Sequence, residues 1–77
     1  MKFTQYFLHT RERSDRKDIK LEWIEQVFYH PEKERIQEDG RIRRWAKIDA
    51  KEKYLRIVIL EDKETIHNAF FDRSFKL

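Results

Sequence analysis

The chain contains no cysteine, one proline and one glycine. Without cysteine there is neither a disulfide framework nor a thiolate metal site, the pattern of a reducing compartment, so a cytoplasmic location is expected. A single glycine excludes a glycine-rich loop wrapped around a nucleotide phosphate. Long apolar runs are missing as well: Met1 to His9 holds only a short apolar patch before polar residues resume, so neither a signal peptide nor a membrane span is expected. The three histidines, His9, His30 and His67, have no second ligand at a recognisable spacing, so no metal and no cofactor is expected.

What is present is charge and aromatic surface. The 77 residues carry 18 basic and 15 acidic side chains, a net charge of +3 too small to argue for a partner by itself. A chain of this length is expected to form one domain, residues 1–77, and buries only roughly 60 to 65% of the surface its unfolded form exposes. Six Phe, three Tyr and two Trp offset that limit, because each buries a large area. The charge is unevenly spread. Arg41 to Lys47 reads Arg-Ile-Arg-Arg-Trp-Ala-Lys with no acidic residue, whereas Pro31 to Asp39 and Glu61 to Glu64 are mixed or acidic.

The organising stretch is Tyr54 to Leu60, Tyr-Leu-Arg-Ile-Val-Ile-Leu, the most apolar run and rich in β-branched residues, which reads as a central strand. Arg41 to Ile48 and Thr65 to Phe75 flank it across short polar connections and are expected to pair with it. In the first, Ile42, Arg44, Ala46 and Ile48 share one face and Arg43, Trp45 and Lys47 the other; in the second, Ile66, Asn68 and Phe70 oppose His67, Ala69 and Phe71. Glu34 to Glu38 adds a strand, joined through Asp39-Gly40, a strong two-residue hairpin signal. Upstream, Lys2 to Leu8 reads as a short edge strand and His9 to Arg13 as a turn or two of helix. Ser14 to Asp18 is a charged connection offering Ser and Asp as caps. Leu21, Ile24, Val27 and Phe28, widened by Trp23, form the apolar stripe of a helix that Pro31 stops. The expected fold is α+β: one or two N-terminal helices packed on a four-stranded antiparallel meander.

The first half resembles a small family of prokaryotic domains of unknown function that begin with a His, an Arg four residues on, a basic residue eight on and an Ile ten on, then a helix. Here those are His9, Arg13, Lys17 and Ile19, followed by Ile24 and Val27. The second half resembles the BrnT type of RelE-like ribonuclease toxins: Val27 and Phe28 ending a helix, Pro31, Arg43 or Arg44 on the next strand, then Leu55 and Ile57. This resemblance implies a RelE-like fold, RNA cleavage without a metal, and a cognate antitoxin as partner. The chain departs from the BrnT pattern where the family carries Ser-Ala-Arg on the last strand. Asn68, Ala69 and Phe70 stand there instead, Arg73 comes three residues late, and His30 replaces the customary Asp before the proline.

Cleavage of this kind needs a base for the ribose 2′-hydroxyl, an acid for the leaving oxygen and cations on the phosphate. His67 is the candidate base or acid, with a pKa near neutrality, and Arg73 the accompanying catalytic cation. The alternative for His67 is a structural strand histidine. Arg43, Arg44 and Lys47 are candidate phosphate binders, although neighbours on a strand point to opposite faces, so only one of Arg43 and Arg44 lines a given site. The alternative is a solvated charged face. Trp45, flanked by cations, is placed either to stack an RNA base or to fill the core. His9 and Arg13, at helical spacing, complete the candidate set, either as a further site clustered with Arg16 or Asp72 or as a plain helix surface.

Three readings follow. The first is a toxin-like RNA-binding protein acting as a metal-independent ribonuclease and held by an antitoxin. The second is a non-catalytic domain that binds nucleic acid or a protein by the same strands. The third is a homo-oligomeric structural protein joined through Trp45, Phe70 and Phe71.

Overall fold

The computed structural model of the chain describes residues 1–13 and 16–76. Its elements are β1 (Lys2–Phe3), α1 (Gln5–Thr10), α2 (Leu21–Tyr29), β2 (Lys33–Ile36), β3 (Ile42–Ile48), β4 (Lys53–Ile59) and β5 (Thr65–Phe71), an α+β arrangement. The strands form one sheet in the order β1-β5-β4-β3-β2. From β2 to β5 it is the antiparallel meander expected. The expectation of four strands, all antiparallel, is corrected by β1, which pairs parallel to β5 through Lys2↔Thr65 and Phe3↔Ile66.

Lys2 to Leu8 is therefore not one edge strand. Two residues pair, and Thr4 then caps a helix, its hydroxyl accepting the Phe7 amide at 3.0 Å. The helical turn expected for His9 to Arg13 begins earlier, at Gln5, because a helix starting there brings Phe7 and Thr10, three apart, onto one buried face. In α2, Ile24 and Val27 are fully buried, with Trp23 and Phe28 packed beside them. Leu21, expected in the same stripe, is 39% exposed, and Ile19 just before the helix fills the core instead. Lys20 is the N-cap of α2 and makes no side-chain cap bond. Ser14 and Asp15, expected to be available as caps, lie outside the described residues.

Both helices cover one face of the sheet. Phe7, Ile19, Ile24 and Val27 meet Ile42, Ala46 and Ile48 of β3, Leu55, Ile57 and Ile59 of β4, and Ile66 and Ala69 of β5. Full burial of side chains this size contributes about 1.5–3 kcal/mol each, so this contact holds the layers together. Among the described residues no helix is long and apolar enough to cross a membrane.

Two local features depart from the simple strand pattern. The β2–β3 connection is longer than the two-residue turn expected: Gly40 N donates to Gln37 O at 3.0 Å, Gln37 N donates to Arg41 O at 2.8 Å, and only Gly40 has positive φ, +89°. That is a loop of Glu38, Asp39 and Gly40 closed by a left-handed glycine, with Asp39 Oδ1 accepting the Arg41 amide. In β5, Val58 pairs with Asn68 but Ile59 with Ile66, so His67 is the extra residue of a bulge. The bulge resets the alternation: Ile66 and Ala69 are both buried on the helix side, while Asn68 and Phe70 turn to the open face. The strand ends at Phe71 rather than Phe75, and the chain beyond it folds back across the sheet.

Candidate nucleic-acid interface

The face of the sheet away from the helices is built by the outward positions of each strand. Cross-strand pairing aligns them in two rows: Lys33, Trp45, Arg56 and Phe70, then Arg35, Arg43, Val58 and Asn68. Neighbours within a row lie about 4.8 Å apart, the spacing of strands. Lys47 continues the Arg43 and Trp45 side of β3, opposite Tyr54. Among the described residues, the paired outward positions of β2 to β5 carry no carboxylate, and Asp72, just beyond Phe71, is the first acid met.

One more cation joins from the helix side. Because β1 pairs only with Thr65 and Ile66, the rest of β5 is an edge. Arg16 comes round that edge from the connection between the helices. Its Nη1 donates to Asn68 Oδ1 at 2.6 Å, and its guanidinium lies 5.4 Å from the Phe70 centroid. Arg56 lies 4.2 Å from the same centroid. Burial pulls the Arg56 guanidinium below its ordinary value, Asp72 opposing the shift and the positive Arg43 adding to it. Beside the second row, Arg35 and Arg43 line an open depression of about 450 Å³ together with Glu38 and Asp39.

The remainder of the face is covered. Trp45 is 6% exposed, yet it lies outside the helix-side core. Phe75 stacks on it with centroids 4.7 Å apart and rings 15° from parallel, and Tyr54 tilts against Phe75 at 5.0 Å. The indole Nε1 donates to Asp72 Oδ2 at 3.1 Å, and Arg56 Nη1 stands 3.5 Å from that oxygen. Burial alone would raise the Asp72 carboxyl. Bonds from Ser74 and Trp45, with the charge of Arg56, outweigh it and leave the carboxyl below its usual range.

The residues singled out in the sequence separate. Arg43 is on the open face with Lys47, while Arg44 points to the helices, bonded to Glu34 and to the Phe28 carbonyl, both at 2.6 Å. Trp45 is neither an exposed stacking platform nor part of the main core. His9 is exposed on α1, and Arg13 lies in the turn after it, its carbonyl accepting the amides of Arg16 and Lys17. Phe71 packs on the helix side near Trp23, so Trp45, Phe70 and Phe71 do not share one surface.

His67 sits in the bulge at the β5 edge. Its Nδ1 is 3.1 Å from the Thr4 hydroxyl, and its ring stacks on Tyr6 at 4.7 Å. Burial, then the nearby positive charge of Arg41, lowers its pKa. Arg73 is not beside it: His67 and Phe71 alone are separated by about 14 Å of strand rise, and Arg73 lies beyond Phe71, near Lys53. The two candidate catalytic residues are therefore far apart, His67 within β5 and Arg73 past its end. Among the described residues no group of three or more His, Asp or Glu side chains is placed to hold a metal ion.

Arg35, Arg56 and Asn68 were not singled out from sequence, and Arg16 only as a companion of His9 and Arg13, not of this face. For Arg56 the signal was there: Tyr54, Arg56 and Val58 alternate with Leu55, Ile57 and Ile59, so the arginine belongs to the outward set of the central strand. Arg16 has no such signal, because a tertiary contact brings it to the face.

Comparison with family models, with curated proteins and with solved structures finds no match for the chain.

Proposed function

We propose that the protein binds single-stranded RNA on the open face of its sheet. The observation that supports this reading is the cross-strand arrangement of Arg35, Arg43 and Arg56 beside Phe70, with no acidic partner among the described outward strand positions until Asp72. Guanidinium groups on a flat sheet suit a phosphate backbone, and an aromatic ring among them suits a base that has left its own stack. Lys33, Lys47 and Arg16 widen the basic field at either side.

The test is titration of a labelled single-stranded RNA at several salt concentrations. The double variant Arg35→Ala/Arg43→Ala is expected to bind more weakly, with a salt slope shallower by about 0.7 for each phosphate that is no longer neutralised. Lys51→Ala is the control, an exposed cation beside Lys20 and Trp23 on the helix side. An unchanged slope in the double variant would remove the reading.

RNA cleavage is the second reading, and one observation favours it. His67 stands at the edge of β5 with Nδ1 3.1 Å from the Thr4 hydroxyl, and burial, then the charge of Arg41, favour its neutral form, the state a proton acceptor needs. This is where a BrnT-like activity would reside, with Arg41 in the part first given to Arg73, and an antitoxin would then mask the open face. Incubation with RNA in excess chelator, with His67→Ala alongside, tests it. Cleavage by the wild type and not by a folded variant is the expected result.

A further inference from the structure

We propose that Trp45 and Arg56 form a nucleotide subsite, which Phe75 and Asp72 occupy in the free protein as an internal stand-in for a base and its phosphate. This rests on the RNA-binding reading. Two contacts define the stand-in. Phe75 lies nearly parallel to Trp45 at 4.7 Å, the arrangement of a base on an aromatic platform. Asp72 Oδ2 lies 3.1 Å from Trp45 Nε1 and 3.5 Å from Arg56 Nη1, an anion where a backbone phosphate would meet the sheet.

The stand-in serves the tryptophan better than the arginine. Asp72 gives its other oxygen to the Ser74 amide and hydroxyl, at 3.1 and 2.7 Å, so one oxygen alone faces the guanidinium, beyond ordinary hydrogen-bond length. Arg56 Nε is buried and has no hydrogen-bond partner among the described residues. An arginine matched to a structural carboxylate takes two parallel bonds, and this one takes neither. A phosphodiester in place of Asp72, with two free oxygens, can take Nη1 and Nη2 together as two parallel bonds. RNA held at Arg43 is one row from Trp45 on the same strand face, so the subsite continues the proposed binding surface.

The strands β2 to β5 keep their pairing in the exchange, which costs the bond from the Asp72 amide to the Tyr54 carbonyl, 2.9 Å, just past the end of β5. The segment after β5 lifts, and the apparent affinity is the intrinsic one scaled by the fraction of molecules in which it has lifted. Removing the stand-in therefore tightens binding.

The experiment is fluorescence anisotropy of a labelled single-stranded RNA of mixed sequence, in a Trp23→Phe background so that Trp45 alone reports, with circular dichroism confirming the fold. Phe75→Ala is expected to bind at least about fivefold tighter, with Trp45 emission quenched by RNA. Adding Trp45→Leu should erase that gain. Asp72→Asn keeps an acceptor for Trp45 and leaves the stack in place, so it tests the anion half even where Phe75→Ala loses its fold; it too should tighten binding. Unchanged or weaker binding in folded Phe75→Ala and Asp72→Asn, while Arg35→Ala/Arg43→Ala still impairs the wild type, overturns the subsite and leaves the RNA reading standing. No RNA binding by the wild type or either variant overturns both.

Discussion

Arg44 donates from Nη1 to the backbone oxygen of Phe28 at 2.6 Å, and its guanidinium lies 5.3 Å from the centroid of the same residue's ring. The carbonyls at the end of α2 carry partial negative charge and have no partner within the helix, so this one cation closes the helix and ties it to β3. Its Nε also holds Glu34 of β2 at 2.6 Å. Arg44→Ala is expected to cost about 1–3 kcal/mol, the range for hydrogen bonds to a charged group and the loss of a partner for a half-buried carbonyl. Urea unfolding should show a lower midpoint at unchanged m-value. Arg44→Lys should restore only part of it, because an ammonium lacks the planar fork that reaches both partners. A variant of full stability would show that the contact is incidental.

The three hairpin connections each contain a left-handed residue, and only one of them is glycine. Gly40 has φ +89°, Glu52 has φ 52° and Lys63 has φ 66°. An L side chain in that region costs roughly 1 kcal/mol, which glycine does not. Glu52→Gly and Lys63→Gly are each expected to stabilise the protein by about 0.5 kcal/mol or more, after allowance for the greater freedom of the unfolded chain. Gly40→Ala should do the reverse, since the added Cβ would also stand 3.2 Å from Glu61 Cβ. Thermal midpoints of the three variants check the pattern, and a destabilised Glu52→Gly would contradict it.

Period-two alternation made β3 and β4 legible, and with them the separation of Arg43 from Arg44, because both strands run without a bulge between one buried and one open face. The same rule failed at Asn68 and Phe70, since a single extra residue at His67 exchanges the two faces and nothing in Thr65 to Phe71 announces it. The edge strand expected in Lys2 to Leu8 shrinks to Lys2–Phe3, and its parallel pairing with β5 was not legible because two residues are too few to show a period. Trp45 shows a different difficulty. Its flanking cations suggest an exposed ring and its size suggests a core, but the ring is buried on the open side by Phe75, thirty positions away in sequence. Long-range contacts of this kind, like that of Arg16 with Asn68, leave no local signature.

Asp62 organises the β4–β5 turn and should make it sensitive to acid. The Thr65 hydroxyl, then the amides of Glu64 and Thr65, donate to its carboxylate and draw its pKa from the ordinary 3.8 down to about 2. A carboxyl lowered by folding contributes stability that is complete above its unfolded value and disappears as pH falls through its folded one. The contribution should therefore fade between 3.8 and about 2. It is small, because the group is fully exposed and its charge is screened. The denaturation midpoint of the wild type is expected to exceed that of Asp62→Asn at neutral pH and to converge on it in this window. A constant gap down to the lowest pH would mean that ionisation of Asp62 is not involved.

His67 should act in the opposite part of the scale. Burial disfavours its charged form, and Arg41 disfavours it further, so the folded pKa lies below the ordinary 6.5. Between the two values the unfolded chain binds more protons than the folded one, so stability rises with pH across that interval and falls as the solution is acidified through 6.5. Proton NMR should place the His67 midpoint below the ordinary 6.5. Arg41→Ala should move the His67 midpoint upward while leaving most of the burial effect, because the arginine is the smaller of the two causes. His67→Gln should remove this part of the pH dependence of unfolding. If His67 also accepts the 2′-hydroxyl proton of bound RNA, kcat/KM for cleavage should fall on the acid side of that same midpoint and shift upward with it in Arg41→Ala, a link that a purely structural histidine would not produce.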